Sequence, residues 1–299
     1  MCGAQTNQTL HFRRYLSLAG GLSDPPPSQL SLFCPTKFMQ RLSTRLASDH
    51  YHYSTLPLHL HSTTTPPTLH YTMPPYPAVR IPAKAAHTAT VIFLHGLGDS
   101  GAGWMFLAEE ARKAQRLNHV KFIFPEAPQQ PVSLNFGMRM PSWYDIKELA
   151  NVNAAQDQEG ILESVGRLES LIKEETDAGV PANRIVIGGF SQGCAVSLAT
   201  GCLTQTKLGG IVGLSGYVPI KDYILSQHNT TNQDTPMFLA HGTADQVIRF
   251  DYGKLSRDFI INELKFKNVD WHQYEGLTHS CGFEEISDIL NWLEENIKE

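Results

Sequence analysis

The stretch of this chain best equipped for covalent chemistry is Gly189-Phe190-Ser191-Gln192-Gly193. It follows the apolar run Arg184-Ile185-Val186-Ile187-Gly188 and precedes Cys194-Ala195-Val196-Ser197-Leu198-Ala199, which read as a strand and a helix. A serine on so sharp a turn has its hydroxyl presented at the sheet edge, and glycine on each side removes side chains that would collide there. The helix start also offers free N–H groups to developing negative charge. A seryl hydroxyl is a weak nucleophile until a base takes its proton, so the motif calls for a histidine and for an acid that orients it. On this kind of turn the chain order is Ser, then Asp or Glu, then His.

Both partners are present in that order. His241-Gly242-Thr243-Ala244-Asp245 follows the apolar run Pro236 to Ala240, which places Asp245 in a loop beyond a strand end. Asp251, its rival, falls where the next helix should begin and reads as a helix-capping residue. Of the 13 histidines, His279 alone lies in the loop after the last strand-like run, in Glu275-Gly276-Leu277-Thr278-His279. The expected triad is Ser191, Asp245 and His279. A tetrahedral intermediate needs two aimed N–H donors, one of them from an early strand-to-helix loop. His95-Gly96-Leu97-Gly98-Asp99 occupies such a place, so the backbone amides of Leu97 and Gln192 are the expected oxyanion donors and His95 is read as shaping its loop.

These residues must be held by a scaffold, and its elements are visible as alternating short β-rich runs and longer helical patterns, the mark of a mostly parallel sheet covered on both faces. Thr90 to Leu94, Val120 to Phe124, Arg184 to Gly188, Gly210 to Leu214, Pro236 to Ala240 and Val269 to Tyr274 are the expected strands. Ile161, Val165, Leu168 and Ile172, and later Ile286, Ile289, Leu290, Leu293 and Ile297, recur at helical spacing and should face the core.

The chain has 299 residues, 41% of them apolar, enough for one large domain. A formal net charge of −5 gives no basic face for nucleic acid. The five cysteines, Cys2, Cys34, Cys194, Cys202 and Cys281, lack the paired short spacing of a disulfide framework or a zinc site and point to a reducing compartment. No apolar run approaches the length of a spanning helix, so the chain reads as soluble and not secreted. Residues 1–72, rich in Ser, Thr, Pro and His, are expected to be a disordered extension, with 73–299 as the catalytic domain. The basic character of the extension also fits a mitochondrial transit peptide, the alternative to cytoplasmic residence.

With these motifs in hand, the chain resembles the acyl-protein thioesterases, within the lysophospholipase and carboxylesterase group of α/β-hydrolases. The resemblance runs from about Val91 to the C-terminus, through Phe93-Leu94-His95-Gly96-Leu97-Gly98-Asp99, Pro141-Ser142-Trp143-Tyr144-Asp145-Ile146, Gly188 to Gly193, Leu214-Ser215-Gly216-Tyr217 and the loops of Asp245 and His279. It implies an α/β-hydrolase fold without a large cap domain, the same triad and oxyanion donors, and no cofactor or metal. It further implies that Pro125 to Ile146 is a long loop beside an acyl groove, with Leu134, Phe136, Met138, Met140 and Trp143 as groove residues. The implied reaction is hydrolysis of palmitoyl and other long-chain thioesters of protein cysteines through an acyl-serine. The alternative is a carboxylesterase or lysophospholipase acting on small esters or single-chain lipids. Implied partners are S-acylated proteins, with lysophospholipids a second class and transient contact with a membrane surface. The implied residence is the cytoplasm, extending to the nucleus.

Overall fold

The computed structural model describes residues 77–148 and 156–299, so the expected extension over 1–72 lies outside the described residues. Seven strands form one sheet: β1 (Ala78–Ile81), β2 (Ala89–Leu94), β3 (Val120–Pro125), β6 (Ile185–Phe190), β7 (Gly210–Leu214), β8 (Met237–Gly242) and β9 (Val269–Tyr274). Their order is β1-β3-β2-β6-β7-β8-β9, and every pairing is parallel except that of β1 with β3. The six expected strands are all present, with ends shifted by a residue or two.

Side chains along these strands alternate between two cores. Ile92, Leu94, Ile185, Ile187, Ile211 and Leu239 pack on one face, against α2 (Gln158–Asp177) and α3 (Gln192–Leu203). Val91, Phe93, Phe122, Phe124, Val186 and Phe238 pack on the other, against α1 (Met105–Lys113) and α6 (Phe283–Asn296). A strand buried on both sides must be apolar at nearly every position, which is why these runs are continuous rather than alternating. The shorter helix α4 (Lys221–Gln227) and α5 (Phe250–Asn262) complete the described helices. Among the described residues no further domain covers the sheet edge, and no helix is long and apolar enough to cross a membrane.

Two elements correct the sequence expectation. The stretch from Pro125 to Ile146 is not a plain loop but carries an antiparallel hairpin, β4 (Gln129–Val132) with β5 (Met138–Pro141). Its turn contains Phe136 at φ 56° followed by Gly137 at φ 76°. Asp251 lies in the first turn of α5 but is not its cap, since Arg249 holds that position; Asp251 pairs instead with Lys254 at 3.0 Å.

A buried carboxyl makes the fold's stability depend on pH. Glu285, in the first turn of α6, is fully buried and its Oε2 accepts the Gly282 N–H at 3.3 Å. Burial pushes its pKa up to about 7, only partly offset by the Cys281 thiol and the Gly282 amide. A carboxyl raised above its unfolded value contributes stability that is complete below the ordinary carboxylate range and is lost as pH rises through 7. The difference in unfolding free energy between Glu285→Gln and the parent, followed by thermal melts, should therefore change progressively between pH 4 and pH 8, by on the order of 3 kcal/mol in all. Parallel melting curves for the two proteins would overturn this.

Candidate active site

The parallel pairing brings the ends of five strands to one edge. Leu94 of β2 pairs with Gly189 of β6, Phe190 with Leu214 of β7, and Gly242 of β8 with Tyr274 of β9, so the loops after them lie side by side. Ser191 follows β6 directly with φ 55° and ψ −115°, a conformation L-residues rarely hold, and its N–H is tied to the Leu214 carbonyl at 2.9 Å. The flanking glycines are required by contact. A Cβ on Gly189 would run into the Gly193 backbone, and one on Gly193 into the carbonyls of Leu94 and His95.

The loops of Asp245 and His279 are laced together. The Ala244 N–H donates to the Leu277 carbonyl at 3.1 Å, the Thr243 N–H to the Tyr274 carbonyl at 3.0 Å, and the Gly276 N–H to Thr243 Oγ1 at 2.9 Å. On this frame His279 Nε2 stands 2.9 Å from Ser191 Oγ, and His279 Nδ1 stands 2.7 Å from Asp245 Oδ2. Asp245 Oδ1 accepts the N–H groups of Val247 and Ile248 at 2.8 and 2.9 Å. Burial opposes the ionisation of Asp245, but hydrogen bonds from His241 and His279 outweigh it and hold the carboxyl well below the usual range. The structure thus brings Ser191, Asp245 and His279 into one hydrogen-bonded chain. Asp251 does not join it; its side chain is 58% exposed.

The loop after β2 abuts Ser191. A Cβ on Gly96 would lie 3.4 Å from Ser191 Cβ. Among the described residues neither the Leu97 amide nor the Gln192 amide donates a hydrogen bond, and the latter opens α3, where a helix leaves its first amides free. His95 is buried, with Nδ1 at 2.7 Å from the Gly96 carbonyl and Nε2 accepting the Ala127 N–H at 3.1 Å. Desolvation lowers its pKa to about 4, against the smaller effect of the Gly96 carbonyl, so it stays neutral near pH 7. Both ring nitrogens serve the loop.

The five groove candidates divide. Phe136 is 88% exposed, Met138 is 48% exposed and Leu134 is partly buried against the core, all on or beside the hairpin. Met140 is buried, and its sulfur would be 3.9 Å from a Cβ on Gly98, which links the hairpin to the loop after β2. Trp143 is 2% exposed, and its indole N–H donates to the His95 carbonyl at 2.8 Å.

Three sets of side-chain contacts around the site escaped the sequence reading. His241 Nε2 donates to the Ile248 carbonyl at 2.8 Å and lies 3.4 Å from Asp245 Oδ2, so a second imidazole stands behind the acid. The Phe190 ring packs on that of His279 with centroids 4.7 Å apart. The Gln192 side chain is buried among Ser142, Trp143 and Tyr144. None leaves a periodic or local signal; only the strand pairing places them. Among the described residues no group of three His, Cys, Asp or Glu side chains could hold a metal ion.

Known proteins share this arrangement of chain. Residues 75–297 match the family described as Phospholipase/Carboxylesterase. Acyl-protein thioesterase 1 of Debaryomyces hansenii is 44% identical over 227 residues, covering 74% of this chain and 97% of that protein. Acyl-protein thioesterase 1 of Emericella nidulans is 46% identical over 222 residues, covering 72% and 92%. The crystal structure of Zea mays acyl-protein thioesterase 2 superposes with a TM-score of 0.66 at 30% identity, covering 74% of this chain and 99% of that one.

Proposed function

Because the chain belongs to the phospholipase/carboxylesterase family of α/β-hydrolases, we propose that it is a serine hydrolase that removes long-chain acyl groups from cysteine thioesters of proteins. The observation that carries the chemistry is the chain from Asp245 through His279 to Ser191 Oγ, at 2.7 and 2.9 Å. His279 Nε2 takes the Ser191 proton as Oγ attacks the thioester carbonyl, while Asp245 holds the ring and stabilises the imidazolium. The oxyanion is received by the amides of Leu97 and Gln192. Collapse expels the cysteine thiolate, which takes the proton from His279 and leaves an acyl-serine. Water, deprotonated by the same nitrogen, then releases the fatty acid and restores Ser191.

Substrate class rests on the similarity to acyl-protein thioesterases over nearly their whole length and on the exposed apolar side chains Phe136 and Met138 of the hairpin beside the site. Leu134, Phe136 and Met138 are assigned to the path of the acyl chain. Residues 73–299 are assigned to catalysis and 1–72 to an extension that takes no part in turnover. The place of action is the cytoplasmic face of membranes, where S-acylated proteins and lysophospholipids both present their chains.

Each methylene transferred from water to an apolar groove contributes about 0.8 kcal/mol at most, so lengthening the acyl chain should lower KM steeply. Turnover of a palmitoyl-peptide thioester should exceed that of lysophosphatidylcholine and of short nitrophenyl esters in kcat/KM. A strict preference for acetyl esters would replace this function with that of a small-ester carboxylesterase.

A further inference from the structure

We infer that the Gln192 side chain, acting through Trp143, is a positioning group that fixes the spacing of the two oxyanion donors, a role that rests on the assignment of the Leu97 and Gln192 amides as those donors. Gln192 follows the nucleophile and opens α3, yet its side-chain amide is wholly engaged elsewhere. Nε2 donates to the Tyr144 carbonyl at 2.6 Å and to Ser142 Oγ at 3.0 Å, and Oε1 accepts the Trp143 N–H at 2.9 Å. Ser142 Oγ reaches the Tyr144 carbonyl at 2.6 Å, and the Trp143 carbonyl accepts the Ser164 hydroxyl from α2. The segment from Ser142 to Tyr144 is therefore clamped to the residue that supplies one donor.

The same segment holds the loop that supplies the other donor. The Trp143 indole N–H donates to the His95 carbonyl at 2.8 Å, and the two rings pack with centroids 5.2 Å apart. One residue before Ser142, the Pro141 carbonyl accepts the Gly98 N–H at 2.8 Å. Leu97 thus lies between two residues, His95 and Gly98, that are tied to the clamped segment, while its own amide stays unengaged among the described residues. A continuous link runs from the Gln192 side chain through Trp143 to His95 and on to Leu97. Gln192 and Trp143 are each 2% exposed and Ser142 is fully buried, so water cannot readily replace a lost partner. Donors aimed in advance at the oxyanion are effective because they do not reorganise during reaction, and displacement by about 1 Å costs up to about 100-fold in rate.

The test uses Trp143→Phe, which deletes the indole donor and keeps the ring, and Gln192→Met, which keeps the length of the side chain and deletes its hydrogen bonds. Both are measured singly and together in the full chain on nitrophenyl octanoate, with an octyl boronic acid whose adduct with Ser191 mimics the tetrahedral intermediate. Each single change should lower kcat about 10- to 100-fold with KM within about threefold, and should weaken the boronate by the same factor as kcat/KM. The double variant should be no slower than the slower single one, because both cut the same link. If Gln192→Met does not fold, the kcat and KM of Trp143→Phe and its boronate affinity decide alone. A kcat within twofold of the parent for Trp143→Phe, or a loss carried by KM with the boronate unaffected, overturns the inference. Ser191→Ala in the same assay separates the two levels: inactive Ser191→Ala beside normal Trp143→Phe removes only the positioning role, whereas active Ser191→Ala removes the serine mechanism itself.

Discussion

Ser191→Ala should lower kcat by about five to six orders of magnitude and abolish labelling by a serine-directed phosphonate, while the protein stays folded. The covalent step loses its nucleophile, and what remains is the modest help of the oxyanion amides and of substrate binding. The fold should tolerate the change because Ser191 is held by its backbone, through the bond to the Leu214 carbonyl and the close approach of Gly189 to Gly193, and not by its hydroxyl. The melting temperature should be little changed, since alanine takes the same backbone conformation at 191 and only the hydroxyl with its contact to His279 is lost. Turnover near that of the parent would remove Ser191 from the mechanism.

Asp245→Asn should cost about four orders of magnitude in kcat, and Asp251→Asn almost nothing. The surroundings of Asp245 decide how an asparagine there must lie. The amides of Val247 and Ile248 both point at Oδ1, so the side-chain oxygen has to stay with them and the NH₂ group has to face His279 Nδ1. That forces the proton of His279 onto Nε2, the nitrogen that must accept from Ser191. Stability should also respond, and in a definite direction. A carboxyl held below its unfolded value contributes stability above the ordinary carboxylate range that is lost as pH falls, so the parent's advantage over the variant should shrink on acidification. Asp251 is exposed and paired only with Lys254 and Arg249, an arrangement worth little. Greater damage from the change at 251 would reverse the assignment of the acid.

The strands of the sheet were legible because a strand buried on both faces must be a short uninterrupted apolar run. The candidate triad was legible because a single chain order and three loops at strand ends suffice to select Ser191, Asp245 and His279 out of many serines, acids and histidines. The edge strand Ala78–Ile81 was not, being only four residues bounded by Pro77 and Pro82. The hairpin was hidden by Gln129, Gln130 and Pro131, a polar and proline-bearing strand of the kind tolerated only where pairing is one-sided. The tie of Trp143 was not legible either: an indole N–H requires a partner when buried, and the partner here, the His95 carbonyl, lies 48 residues away in sequence. Contacts such as that of Gln192 with Ser142, 50 residues apart, exist only once β6 and the hairpin have been placed.

Helix α3 is buried at eleven of its twelve positions, from Gln192 to Cys202. Its backbone amides can exchange with solvent only when the core on its face of the sheet comes apart, so they belong to the last cooperative unit to open. Ser191 rides on the start of that unit, whereas His279 is carried by the loop after β9. Ser191 will therefore keep its strained geometry through any partial opening short of global unfolding, and the first functional consequence of mild heat or denaturant will fall on the partners of the serine, leaving an intact but unassisted hydroxyl.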